Sequence, residues 1–280
     1  MFFRLKLLPF MILVILVAYS CSEYQNVLKK PNTNAKYQLA EKLYEEGDFK
    51  KANRLLEQIA PSYIGKPQGE RVMFFFAKSY YEIEDYNLAG YQFERFLKSY
   101  PKSDKAGEAS FLGAKSYYML SPRYSVDQTD TDKALTKLQL FINSYPDSEN
   151  LPEANIMAQE LRTKKEKKEF EVAKQFTKLG KSYIMDYSIS AIAALNNFVN
   201  DNAGSIYREE ALYLKVVATT NLALNSSESK KQERLNDARE AHADLFKNYP
   251  ETEYADDANS LVEKVNEELK IYSEQENISK

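Results

Sequence analysis

Apolar residues recur along this chain at helical spacing in short blocks, and the blocks come in pairs joined by a tight polar turn. The stretch from Phe76 to Pro101, FAKSYYEIEDYNLAGYQFERFLKSYP, shows the unit. Ala89, Phe93 and Phe96 share one helical face, and Tyr80 meets them from the preceding helix. Asp85 stands where the second helix begins, and its carboxylate can accept from an unpaired first-turn N–H. Pro101 cannot continue a helix and closes it. The same layout precedes it, with Tyr37, Ala40, Leu43 and Tyr44, then Gly47-Asp48-Phe49, then Ala52, Leu55, Leu56 and Ile59 up to Pro61. A third pair joins Ala106–Leu120 to a helix with Ala134, Leu138 and Phe141 that stops at Pro146. A longer helical stretch runs from Pro152 to about Leu179. Its Val172, Phe176 and Gly180 face Ala191, Leu195 and Phe198 of a fourth hairpin, with Ala203 where the others have Pro. The fifth has Ala211, Leu214 and Ala218, a polar insertion from Asn225 to Glu233, then Ala238 and Leu245 before Tyr249-Pro250. Tyr254 to about Ile271 reads as one last helix with a charged face. An Asp recurs at the turns as Asp48, Asp85, Asp132, Asp186 and Asp237.

The chain also repeats itself literally. Ala-Lys-Ser-Tyr-Tyr at 77–81 returns at 114–118, and Ser-Tyr-Pro at 99–101 returns at 144–146. Self-similarity near a period of about 34 residues is the mark of tetratricopeptide (TPR) repeats. The expected fold is all-α, a TPR-like helix-turn-helix solenoid of about five hairpins plus a capping helix. Repeats 1–3 occupy 35–149, repeats 4–5 and the cap 150–272, and 273–280 is a tail.

The 280 residues, 44% apolar and 28% charged, are too apolar for disorder. A net charge of −3 gives no global support for a nucleic-acid partner. The amino-terminal end changes the picture more. Arg4 and Lys6 precede an apolar run from Leu7 to Val17, then Ala18-Tyr19-Ser20 and Cys21, the sole cysteine. Residues 1–20 have the form of a secretory signal. A signal ending at a cysteine resembles the bacterial lipobox, which makes Cys21 the expected site of acylation, palmitate included. The alternative is a signal cut elsewhere, leaving a free thiol. Residues 21–34 are polar and irregular, a tether between lipid and fold.

Chemistry is hard to find. No phosphate loop, Cys-x-x-Cys or His-Glu-x-x-His is present, and the lone His242 falls on a repeat helix between Ala238 and Leu245. Asp256-Asp257 reads as a solvated helix end. The basic run from Arg162 to Lys168 is either a solvated face or a contact for lipid headgroups or an acidic partner. The expectation is no enzyme, no metal and no cofactor.

One segment breaks the repeat. Between the helices of the third hairpin lies Ser121-Pro-Arg-Tyr-Ser-Val-Asp-Gln-Thr-Asp-Thr-Asp132, whose composition forbids a continuous helix. With the following Leu-Gln-Leu-Phe-Ile-Asn-Ser-Tyr-Pro-Asp-Ser148, and with Glu169-Phe-Glu-Val-Ala-Lys-Gln-Phe176, it resembles the BamD family, lipoproteins of the outer-membrane β-barrel assembly machinery. The resemblance implies a periplasmic scaffold, lipid-anchored in the outer membrane, that binds the central barrel-assembly protein through its periplasmic domains. It also implies recognition of unfolded outer-membrane protein precursors by the N-terminal repeats. Within the loop, Arg123, Tyr124, Asp127, Asp130 and Asp132 are expected to contact the barrel-assembly protein or to brace the hairpins. Stacking would line a concave groove with Tyr37, Tyr44, Phe74, Lys78, Tyr81, Lys115 and Tyr118. Tyr faces would take a terminal aromatic ring, and Lys78 or Lys115 its carboxylate. Alternatively these aromatics pack between neighbouring repeats. A general cell-envelope TPR adaptor, serving peptidoglycan or division proteins, is the second functional reading.

Overall fold

The paired blocks fold as paired helices. In the computed structural model, which describes residues 23–181 and 185–278, a short helix α1 (23–29) is followed by two hairpins, α2 (Thr33–Glu45) with α3 (Phe49–Tyr63) and α4 (Gly69–Glu82) with α5 (Tyr86–Ser99). The third hairpin is α6 (Ala106–Leu120) with α7 (Thr129–Ser144). Then come α8 (Leu151–Gly180), α9 (Met185–Asp201), α10 (Arg208–Leu224), α11 (Glu228–Asn248) and α12 (Ala255–Ile278). No strand occurs among the described residues. The first unit ends at Leu161 but leaves residues 123–126 to the second, which resumes at Arg162. The helix α8 therefore supplies its first part to one unit and the remainder to the other.

In the first unit the predicted core is buried. Ala89, Phe93 and Phe96 are closed to solvent, as are Ala134, Leu138 and Phe141 one hairpin later. The two copies of the pentapeptide take equivalent environments. Ala77, Ser79 and Tyr80 are buried, and so are Ala114, Ser116 and Tyr117. The turns explain why helices stop where they do. The Asp48 N–H returns to the Leu43 carbonyl at 2.8 Å, and the Asp85 N–H to that of Tyr80 at 3.0 Å, satisfying carbonyls that a helix end leaves open. The residue before each Asp takes positive φ, 80° at Gly47 and 65° at Glu84. Both Asp side chains then cap the next helix, accepting from the N–H of Lys51 and of Leu88.

Three helices end on Tyr-Pro. Tyr100, Tyr145 and Tyr249 share one non-helical conformation, with φ of −133°, −133° and −136°, because the following Pro excludes the α region. The rings fold back, Tyr100 over Phe96 and Tyr145 over Phe141. Gly69, at the start of α4, makes room: a Cβ there would lie 2.6 Å from the Tyr100 hydroxyl.

Several sequence expectations are corrected. Residues 23–29 are not an irregular tether, since they form α1 and Tyr24 is buried in the first hairpin's core. Helix α3 runs through Pro61 to Tyr63. The interrupting loop ends sooner than Asp132, because α7 starts at Thr129 and places Asp130 and Asp132 in its first turn. Asp127 does the capping there, accepting from the Thr129 N–H at 2.9 Å. Asp186 lies in a first turn, and Asp237 is in mid-helix rather than at a turn. Val172 is exposed, with Ala173 buried in its stead.

In the second unit the polar insertion at 225–233 is largely helical, extending α11 back to Glu228. The capping helix holds it there. Tyr272 donates to Glu228, Lys231 Nζ lies 2.7 Å from Glu268, and Leu235 packs with Val265.

Close approach between α5 and α6 depends on Gly90, where a Cβ would sit 2.8 Å from the buried Tyr117 ring. Replacing a mid-helix Gly normally gains roughly 0.5–1 kcal/mol. Overpacking a closed contact costs about 1–3 kcal/mol, and here the contact dominates. Gly90→Val is therefore expected to lower stability in urea denaturation.

Candidate functional site

The expected groove residues lie in the first unit, and the structure sorts them into three kinds. Phe74 is removed from any groove. It is 4% exposed and sits edge-on to Phe96 and Phe93 inside the second hairpin, with Lys78 and Lys105 over its ring. Its phase on α4 turns it inward; Phe75, one position on, is the ring that reaches the preceding repeat.

The four tyrosines are half-buried and partnered. Tyr44 stacks on Phe75 at 4.7 Å and meets Phe49 edge-on. Burial first, then the charges of Glu82 and Glu108, push its hydroxyl far above the ordinary tyrosine value. Tyr37 lies against Tyr63, and Tyr81 edge-on to Tyr86. Tyr118 donates to Glu160; that bond, then burial, raises its pKa to about 12.

The two lysines already hold carboxylates. Lys78 Nζ is 2.8 Å from Glu108, and Lys115 Nζ is 2.7 Å from Glu153. The bond to Glu153 holds the Lys115 ammonium above the ordinary lysine value against the opposing effect of burial, with Tyr81 alongside. Burial alone would raise the Glu108 carboxyl, but Lys78 and Lys105 outweigh it and the pKa falls below the ordinary value. Lysine and glutamate come from successive first helices of hairpins, 30 and 38 residues apart. Lys174 and Glu210 repeat the pairing in the second unit, 36 residues apart at 2.6 Å. The glutamate is the third residue of α6, α8 and α10 alike, so it also complements the positive helix end. Sequence reasoning missed these glutamates, although their spacing from the lysines, close to one repeat in each case, was a usable signal. The face that emerges carries aromatic rings between internally neutralised charges.

The loop residues divide as well. Tyr124 lies beneath Lys167, 4.6 Å from the ring centre, and the Val126 carbonyl accepts from Lys168 at 2.8 Å. The basic run of α8 is thus partly buried and engaged by the loop, rather than a wholly solvated face. Ser121 and Gln128 both reach Thr131, which is closed to solvent. Arg123, Asp127, Asp130 and Asp132 are exposed. Cys21 lies outside the described residues.

Elsewhere, His242 rests on Phe246 with its Nε2 2.9 Å from Asn259 Oδ1. Among the described residues no His/Cys/Asp/Glu group could hold a metal, and no helix is long and apolar enough to cross a membrane. A cleft of about 500 Å³ opens in the second unit between α9 and α11 over α10, walled by Ile189 and Ile192 on one side and by Glu233, Asp237 and Glu240 on the other.

A family model described as YfiO, outer membrane lipoprotein, matches residues 29–185 and 181–275. No curated protein matches the chain. Two crystal structures of a Podosopora anserina putative kinesin light chain with nearly identical TPR-like repeats are similar to it at 14% identity. One of them, a single-residue variant, covers 76% of this chain and 96% of its own, with a TM-score of 0.32. The other covers 77% and 98%, also at 0.32.

Carboxylates that bridge neighbouring repeats set an acid limit. Glu94, like Glu108, is lowered: burial opposes, but hydrogen bonds from Lys137 and Tyr117 and the nearby lysine charges prevail. A carboxyl with a lower pKa folded than unfolded stabilises above the unfolded value, about 4.3, and loses that contribution as pH falls through the folded one. Urea midpoints should fall on acidification from about pH 5 downward, and less steeply in Glu94→Gln with Glu108→Gln. Near neutral pH, breaking Lys115–Glu153 alone should cost under about 1 kcal/mol, because both groups are partly solvated.

Proposed function

The chain belongs to the YfiO family of outer membrane lipoproteins, and on that ground we propose that it is a periplasmic scaffold of the machinery that assembles outer-membrane β-barrels. In this reading Cys21 carries the lipid anchor, and the protein binds the central barrel-assembly protein through that partner's periplasmic domains. Unfolded barrel precursors are received on the face of α2, α4 and α6, and no catalytic step is performed. The observation that carries the reading is the family match from residue 29 to 275, which spans all five hairpins and the interrupting loop.

The half-buried rings of Tyr44, Tyr81 and Tyr118 suit an aromatic side chain of a precursor. A terminal carboxylate meets competition, since Glu108 and Glu153 hold the lysines it would use. In this reading Asp130, exposed at the start of α7, would meet the barrel-assembly protein, and Tyr124, beneath Lys167, would act as a brace.

Co-purification in mild detergent tests the scaffold. An outer-membrane barrel with periplasmic domains is expected; recovery of wall or division proteins in its place would establish an adaptor. Cys21→Ala should leave a folded protein that no longer sediments with membranes, and membrane retention through a high-salt wash would exclude the lipid as anchor. Precursor recognition has its own test. Glu108→Gln with Glu153→Gln frees both lysines, so a peptide ending in Phe with a free carboxylate should bind several-fold more tightly while its amide is unaffected. Equal change for both peptides would show that the lysines do not read a C-terminus.

A further inference from the structure

The first hairpin begins almost at the anchor. Tyr24 is 7% exposed and belongs to the same core as Ala52, Leu55 and Leu56 of α3, with Val27 and Leu28 packed beside it. Cys21 precedes Tyr24 by three positions. Three residues, however arranged, span at most about 10–11 Å, which is close to the Debye length of about 8–10 Å at ordinary salt. The helix that carries Tyr24, and the charges beside it, are therefore held close to the surface that bears the acylated cysteine.

Basic charges gather beside Tyr24 and outnumber the acids there, Glu23 and Asp48. Lys51 Nζ lies 5.8 Å from the centre of its ring, and the Arg54 charge acts on its hydroxyl. Lys50 and Arg54 are exposed one helical turn apart on α3, and Lys29 and Lys30 are exposed at the end of α1. Of the nearby acids, Asp48 pairs with Lys51 at 2.5 Å and Glu46 lies 3.9 Å from Lys42, while the exposed Glu23 and Glu57 reduce the positive charge without reversing it. We infer that the α3 face formed by Lys50, Lys51 and Arg54 lies on the phospholipid surface and binds anionic headgroups, an inference that rests on the reading of Cys21 as the lipid-bearing residue. The occupant follows from two facts about packed neighbours: a basic face on α3, and, at Tyr24 of α1, a chain too short to carry that face far from the membrane.

The test uses the full lipidated chain on vesicles of phosphatidylcholine, with or without about one quarter phosphatidylglycerol. Cys21 is the sole cysteine, so once it is acylated a single new thiol can be labelled. Glu57→Cys, one turn beyond Arg54, reports on the proposed face, and Asn143→Cys on α7 serves as control. Energy transfer to headgroup-labelled lipid should be at least twofold greater from position 57 than from 143 on anionic vesicles. That excess should fall on neutral vesicles, at about 0.5 M salt, and with Lys50→Glu plus Arg54→Glu. Both substituted positions are exposed, and circular dichroism checks the fold. Failure of the chain to float with vesicles in any arm would sink the anchoring reading itself. Flotation with equal transfer from 57 and 143 would overturn the inference and leave the anchor standing. An excess that is the same on neutral and anionic vesicles would also overturn it, since proximity would then come from the short chain without headgroup binding.

Discussion

The array depends on how closely consecutive helices approach where a ring on one meets a residue with little or no side chain on the next. Gly90 accepts the Tyr117 ring, and Gly113 faces Phe93, whose Cβ would lie 3.1 Å from an added methyl. Ala77, Ala89, Ala114 and Ala134 are among the further small residues closed to solvent. A helical hairpin cannot bury its apolar face alone, so each repeat depends on the contact with its neighbour as well as on its own packing. Interiors at crystal-like density do not absorb an extra methylene freely. The small residues therefore fix the spacing, and the rings fill it.

Charge follows that spacing. Once successive first helices lie side by side, a lysine midway along one reaches the first turn of the next, and Lys78–Glu108 and Lys115–Glu153 form. Each pair stabilises little on its own. Their larger effect is on the surface, where they cancel charge internally and leave the aromatic rings as its dominant chemistry. The first hairpin differs, because Arg71 pairs back to Glu41 and Lys36 bonds Gln58. Most of its remaining cations, Lys50, Lys51 and Arg54, lie on α3, the helix that packs against Tyr24.

Most of the fold was legible because helical periodicity, turn Asp and Tyr-Pro are local signals. Phe93, Leu138 and Leu195 declare their face within a few residues. What was not legible depends on distant partners. The insertion before Glu233 looks like a loop, and is helical because Glu228 and Lys231 meet Tyr272 and Glu268 some forty positions away. Polar residues 23–29 suggest a tether, yet Tyr24 finds a place in the core of a hairpin that starts later. The surface was harder still. Phe74 and Phe75 are adjacent and chemically alike, and only the phase of α4 decides which one is buried. The lysines looked available because the glutamates that hold them lie a full repeat away.

The position of those glutamates bears on how such a chain can change length. Each is the third residue of its helix, and Lys78 and Lys115 stand at matching places in the repeated pentapeptide. The third hairpin, copied in tandem, would carry Glu108 at the front and Lys115 behind, and both would find counterparts across the new junction. Removing it would likewise set Lys78 opposite Glu153. Electrostatics thus places no bar on duplication or loss of that repeat; any such bar lies with the matched ring and glycine, which are particular to one junction.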